Sequence, residues 1–101
     1  MPKLEYSERF AEDLAAVTSA RVEERIFRVL DDIEMFGGLG SRDVPKSISE
    51  RFGVGVRKVT VNPFDLVYTF HPQKDLVRVE ALVHQRTAWI IQTEKQPGIW
   101  S

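Results

Sequence analysis

The stretch Leu76-Val-Arg-Val-Glu-Ala-Leu-Val83 decides the fold, because its side chains alternate almost strictly between two types. Its odd positions are all apolar: Val77, Val79, Ala81 and Val83. The even positions, continued past the stretch, carry the polar side chains with two leucines among them: Leu76, Arg78, Glu80, Leu82, His84 and Arg86. Successive side chains of a strand point to opposite faces. We therefore predict a strand whose odd side chains lie in the core and whose even side chains form one open, polar face.

Two more β-type runs precede this strand, at residues 54–61 and 66–70. The connectors, residues 62–65 and 71–75, are short and contain proline, which is typical of turns between consecutive strands. The three runs together predict a three-stranded antiparallel meander.

The first of these runs allows two assignments of its faces. If Val59 and Val61 join the core, then Lys58 and Thr60 lie on the polar face. The opposite assignment places Arg57 there instead.

The N-terminal third of the chain predicts a strand and two helices. Lys3-Leu-Glu-Tyr6 alternates and is short, which is typical of an edge strand that joins the later sheet. Ser7 and Ser19 are suitable N-caps for two helices, the first of about 10 residues. Gly37 and Gly38 end the second helix. That helix has the strongest helical spacing in the chain, carried by Val22, Ile26, Val29, Ile33 and Phe36.

These elements predict an α+β fold, in which a short N-terminal strand and a two-helix hairpin pack on a mainly antiparallel four-stranded sheet. The helices should cover the odd face of the last strand and leave its even face open. We expect residues 37–53 to form a loop, with room for one helical turn near residues 46–49. Residues 1–101 should form a single domain, with residues 92–101 as a loosely held tail.

Composition narrows the classes of function. The 101 residues include no cysteine, so disulfides and cysteine-based metal sites are excluded. The two histidines, His71 and His84, are separated by twelve residues and lack a carboxylate at ligand spacing, so we expect no metal and no cofactor. No apolar run approaches the roughly 20 residues of a membrane helix, and the N-terminus lacks a signal-peptide layout. We expect a soluble, cytoplasmic protein without membrane contact.

Charge is unevenly distributed along the chain. The formal net charge of −1 argues against a strong nucleic-acid binder. Residues 1–36 hold 5 basic and 9 acidic side chains, whereas residues 37–101 hold 9 basic and 6 acidic ones. This asymmetry predicts either a mildly electropositive sheet face or ordinary solvated helix faces.

The order of a strand, two helices and a meander ending in His84-x-Arg86 resembles the RelE/ParE superfamily, the toxins of type II toxin–antitoxin systems. The likeness covers residues 3–90. It rests on three stretches: Leu4-Glu-Tyr-Ser-Glu-Arg9, Leu66-Val-Tyr68 and Val83-His-Gln-Arg86. The resemblance implies a cognate antitoxin that holds the protein inactive, and a role in plasmid stabilisation. RelE-type members cut messenger RNA in the ribosomal A site, whereas ParE-type members poison DNA gyrase.

The length of the helical hairpin favours the RelE side of this resemblance, since both helices fit between Ser7 and Phe36. Two positions depart from the nuclease pattern. The residue before Leu66 is usually Arg in the nucleases, whereas here it is Asp65, whose charge would repel a phosphate. The aromatic residue that nucleases carry just after the last strand is out of register, unless Trp89 takes its place.

The resemblance predicts a metal-independent ribonuclease site formed by His84, Arg86 and Lys58. Cleavage of RNA without a metal needs a base for the 2′-hydroxyl, an acid for the leaving oxygen and cations for the developing charge. Histidine serves as acid or base near neutral pH, and arginine binds phosphate through its planar fork. Three further residues are predicted to bind RNA or a partner protein: Arg57, Arg78 and Trp89.

Three hypotheses about function stay open at this point. The first is a ribosome-dependent endoribonuclease that inhibits translation. The second is a ParE-type toxin that binds DNA gyrase and has no chemistry of its own. The third is a degenerate, non-toxic member of the family, which Asp65 and the net charge favour more than the fold alone does.

Overall fold

The structure, a computed structural model, describes residues 2–86. The sheet has the strand order β1-β4-β3-β2, in which β1 runs parallel to β4 and the other neighbours are antiparallel. The predicted α+β fold and its mainly antiparallel four-stranded sheet are confirmed. No helix within residues 2–86 is long and apolar enough to cross a membrane. The elements are, in chain order, β1 (Lys3–Tyr6), α1 (Glu8–Ala15), α2 (Ala20–Met35), α3 (Lys46–Phe52), β2 (Val56–Val61), β3 (Phe64–His71), a 3-10 turn (Pro72–Lys74) and β4 (Leu76–His84).

Both predicted N-caps are confirmed. The Ser7 hydroxyl accepts a hydrogen bond from the backbone N–H of Phe10 at 3.0 Å and donates to the carbonyl of Glu80 at 2.6 Å. Ser19 accepts from the N–H of Val22 at 3.2 Å. Each cap satisfies an amide that the start of a helix leaves free. Ser7 also ties the start of α1, which at 8 residues is shorter than predicted, to strand β4.

α1 and α2 pack on one face of the sheet and form the larger core. Val61 lies in this core and Val59 packs against it, so Lys58 and Thr60 point to the opposite face of β2. The first of the two assignments for this strand is therefore correct. The buried side chains of the cluster are Phe10, Ile26, Leu30, Ile33, Val61, Leu66, Tyr68, Val77, Val79 and Leu82.

β4 does not keep a single core face along its length. Val67 of β3 pairs with Ala81, and the next residue, Tyr68, pairs with Val79, so Glu80 is an extra residue in β4. Such a β-bulge shifts the alternation of the strand by one residue. The prediction that all odd positions share one core face is therefore wrong beyond Val79. The odd positions divide between two clusters, with Val77 and Val79 under α1 and α2, and Ala81 and Val83 on the other face.

A third helix covers part of the face that we expected to be open. α3 contributes Ile48 to a second buried cluster, and Val44 and Phe52 pack at its margin. The predicted helical turn near residues 46–49 is present, but the helix continues to Phe52, so the prediction of a loop is wrong for residues 50–52. The partners of α3 on the sheet are Val56, Val67, Ala81 and Val83.

The segment between α2 and α3 is fixed by the buried hydroxyl of Tyr68. This hydroxyl donates to the carbonyl of Gly37 at 2.9 Å and accepts from the N–H of Gly40 at 2.7 Å. A Cβ at Gly40 would lie 2.8 Å from the same oxygen, so a larger residue does not fit without a shift. Ser41 then exchanges two backbone hydrogen bonds of 2.9 Å with Lys58. The segment thus lies along the outer edge of β2.

Candidate functional site

Two exposed side chains, His84 and Arg86, mark the end of β4. The backbone N–H of Arg86 donates to Nδ1 of His84 at 3.1 Å. A neutral imidazole that accepts at Nδ1 carries its proton on Nε2. The ring stands edge-on to Phe64, with 5.6 Å between the ring centres. Within residues 2–86 the Arg86 guanidinium has no ion-pair partner, so its charge is available to a ligand.

Asp65 is the buried acid at the centre of a second polar group. Its carboxylate accepts hydrogen bonds from Thr60 Oγ1 at 3.2 Å and from Gln85 Nε2 at 3.3 Å. Lys58 Nζ lies 4.0 Å from the other carboxylate oxygen, and the Lys58 side chain is 26% exposed. Because the Asp65 side chain is only 6% exposed, its charge is stabilised by these two hydrogen bonds and by the charge of Lys58. Lys58 is therefore a partly compensated cation.

Arg78 belongs to a third polar group, on the α3 side of the sheet. Its Nε donates to Glu80 at 3.2 Å, and its Nη1 lies 3.9 Å from Glu5. The second oxygen of Glu80 accepts from the buried Thr69 hydroxyl at 3.0 Å. That hydroxyl also lies 3.2 Å from Nε2 of His71. Two acids thus balance Arg78, which makes it a weaker candidate for binding an anion than Arg86.

Arg57 binds backbone carbonyls of the loop that follows α2. Its Nη1 donates to the carbonyls of Gly38 at 3.2 Å and Gly40 at 2.9 Å, and the guanidinium lies 5.9 Å from the centre of the Phe70 ring. Burial raises the pKa of Tyr68, while the Gly40 hydrogen bond and the charge of Arg57 act against that rise. These contacts place Arg57 against the loop that follows α2.

The predicted site residues do not share one face of the sheet. Lys58 faces the α3 side. His84 pairs with Phe64, which packs against the α1–α2 core, so the His84 side chain faces the other side. We predicted one polar face for Lys58, Arg78 and His84, and that geometry is wrong because the bulge shifts the second half of β4. His84 and Arg86 remain neighbours.

The partners of Asp65 were missed by reasoning from the sequence, which treated its charge only as a repulsion. A signal for one of them was present, because a tight turn after β2 places Thr60 directly opposite Asp65. The sequence near Asp65 contained no signal for its second partner, Gln85. Within residues 2–86, no group of three His, Asp or Glu residues could hold a metal ion. Trp89 and the predicted tail at residues 92–101 lie outside the described residues.

The architecture matches solved RelE structures. A chain of the intact Escherichia coli RelBE toxin–antitoxin complex is 17% identical, with a TM-score of 0.63 over 83% of this chain and 96% of that chain. A chain of the RelB–RelE complex from Methanococcus jannaschii is 14% identical, with a TM-score of 0.61 over 85% and 95%. The isolated E. coli RelE toxin is 15% identical, with a TM-score of 0.63 over 91% and 97%.

A scan of protein-family models and a search of the curated proteins give no match. The structural comparison nevertheless defines the class of fold. The chain has the fold of the RelE toxins, as its sequence resemblance predicted.

Proposed function

We propose that this protein is the toxin of a type II toxin–antitoxin system, and that it stops translation by cutting messenger RNA on the ribosome. The observation that carries the proposal is the pair of exposed side chains, His84 and Arg86, at the end of β4 in a RelE-like fold. Two of the similar structures are complexes of RelE with the antitoxin RelB. A cognate antitoxin is therefore the proposed partner, and the cytoplasm, which holds the ribosomes, is the proposed location.

His84 and Arg86 can supply two different groups that RNA cleavage needs. In its neutral form His84 presents an Nε2–H donor, because Nδ1 is occupied by the N–H of Arg86. This tautomer suits a hydrogen bond to a phosphate oxygen, and the protonated ring can deliver a proton to the leaving oxygen. The Arg86 guanidinium stabilises the negative charge that develops on the phosphate.

His84 in this tautomer does not accept the 2′-hydroxyl proton, so that proton passes to solvent water as the 2′-oxygen attacks the phosphorus. Lys58 is the third proposed catalytic residue, as a cation for the RNA backbone on the other side of the sheet. Its pairing with Asp65 reduces that contribution in the free protein. Arg78, Arg57 and Trp89 stay predicted contacts to RNA or to a partner.

The test is cleavage of a defined message by the purified chain in the presence of programmed ribosomes, read by primer extension. Arg86→Ala and His84→Ala should each lower the cleavage rate by about a hundredfold or more, because each removes a group that acts on the reacting phosphate. Arg51→Ala removes the same charge as Arg86→Ala from the exposed end of α3 and should leave the rate unchanged. Full activity in both site variants would overturn the assignment of the site.

A second candidate function is a toxin that binds DNA gyrase without cutting nucleic acid. It is favoured by the Lys58–Asp65 pair, which weakens one proposed catalytic cation, and by the position of Lys58 and His84 on opposite faces. Gyrase-linked DNA breaks after expression of the chain, together with intact messages, would support this candidate. Normal growth with abundant folded protein would instead support a non-toxic member of the family.

A further inference from the structure

An apolar groove of about 440 Å³ lies between α1 and α2 and is bounded by the end of β1. Phe10 and Leu14 line it from α1, and Phe27 lines it from α2. Tyr6, which stacks on Phe10 with 5.8 Å between ring centres, is 53% exposed, and Phe27 is 48% exposed. Two half-exposed aromatic side chains along one groove form an apolar patch of the kind that marks an interaction surface.

The surroundings of this groove are acidic. Asp31 lies in its wall. Glu34 lies three residues after Asp31 on α2 and so on the same side of that helix. Burial raises the pKa of the Tyr6 hydroxyl, and the charges of Glu34 and Asp31 raise it further. The first 36 residues hold 9 acidic and 5 basic side chains. Two of these basic side chains are already paired within their helices, Arg9 with Asp13 and Arg28 with Glu24.

We propose that this groove binds a basic amphipathic helix of a partner protein. Apolar side chains repeating at positions i, i+3, i+4 and i+7 would enter the groove between the two helices. Lysine or arginine side chains that flank this stripe would face the acidic wall, which favours binding and selects against acidic helices. If the proposed function holds, the partner protein is the antitoxin. Only this identity of the partner rests on the proposed function.

Other occupants fit the charges less well. A second copy of the chain, docked groove to groove about a two-fold axis, would bring acidic walls together. Residues 87–101 contain one acid and one base, Glu94 and Lys95, and so carry no net charge to complement the wall. Nucleic acid would be repelled by the same carboxylates.

The experiment uses the full chain, labelled with nitrogen-15, and two synthetic helices of about 18 residues each. Both peptides carry the same leucine stripe, which is flanked by lysine in one and by glutamate in the other. At low salt the lysine peptide should bind about tenfold more tightly, and the difference should shrink as salt rises. Its binding should shift the amide signals of α1 and α2.

Matched variants locate the binding. Phe27→Ser should weaken binding of the lysine peptide by about tenfold, because the substitution removes a large apolar contact. Leu39→Ser, at a leucine with the same 48% exposure that does not line the groove, should have no effect.

Equal binding of the two peptides, signals shifted elsewhere, or insensitivity to Phe27→Ser would each overturn the inference. So would a groove that the lysine peptide cannot enter because the chain itself or a second copy fills it. None of these measurements involves toxicity, so the inference and the proposed function can fail separately.

Discussion

The Tyr68 hydroxyl satisfies two backbone groups of the segment after α2, in addition to the apolar contacts that its buried ring makes in the core. Tyr68→Phe leaves the N–H of Gly40 and the carbonyl of Gly37 without that partner in a buried place. We expect the free energy of unfolding to fall by about 1–3 kcal/mol. Urea unfolding followed by circular dichroism measures this change.

Tyr6→Phe is the matched control, since it removes the same oxygen from a half-exposed ring. It should change the free energy of unfolding by less than about 0.5 kcal/mol. Equal losses in the two variants would contradict the structural role of the Tyr68 hydroxyl.

Asp65 decides how much of the Lys58 charge reaches a ligand. Asp65→Asn keeps the size of the side chain and can still accept from Thr60, but it removes the charge that lies 4.0 Å from Lys58 Nζ. We expect affinity for a short single-stranded RNA at low salt to rise by about two- to fivefold. Fluorescence anisotropy measures it.

Glu12→Gln removes the same charge from an exposed position on α1 and serves as the control. An equal rise in affinity in both variants would mean that only net charge matters. No change of RNA affinity in either variant would mean that Lys58 does not contact RNA.

The roles of single residues could be predicted from the sequence where their partners are close in the chain. Ser7 and Ser19 were predictable as caps because a cap needs only a hydroxyl and the start of an apolar period. The contacts of Arg57 with the loop after α2, and of Asp65 with Gln85, were not predictable, because these partners lie 17 to 20 residues away in the chain.

α3 is the element that covers the second face of the sheet, and Ile48 is its buried contact. Ile48→Ala would leave a cavity against β2, β3 and β4, so we expect the free energy of unfolding to fall by about 2–4 kcal/mol. Val54→Ala is the control, because Val54 lies just after α3 and is 92% exposed. It should cost less than about 0.5 kcal/mol. Urea unfolding of both variants tests whether α3 packs on the sheet, and equal, small losses would contradict it.

Among the elements, the long helix and the strands could be predicted because each repeats its period several times. α3 has 7 residues, too few to show a helical period, and it followed glycine and proline that are typical of loops. The bulge at Glu80 left no mark in the alternation, since apolar residues stand at the odd positions on both sides of it. The direction of His84 was therefore mispredicted, although the strand that carries it was not.

Across the whole molecule, the two proposed functional surfaces differ in charge and in place. The end of β4 presents the exposed side chains of His84 and Arg86, whereas the groove between α1 and α2 is apolar with an acidic wall. This division suits a toxin that meets RNA at one surface and an inhibitory protein at another. The match to RelE structures extends over 83% to 91% of this chain.

The rate of protein synthesis after induction of the chain alone, without any antitoxin, tests the central claim most directly. It is measured as incorporation of labelled methionine in growing cells. We predict that synthesis collapses on induction of the natural chain and continues on induction of the His84→Ala, Arg86→Ala double variant. Continued synthesis at the full rate, while the folded natural chain accumulates, would contradict the claim that this protein is a toxin of translation.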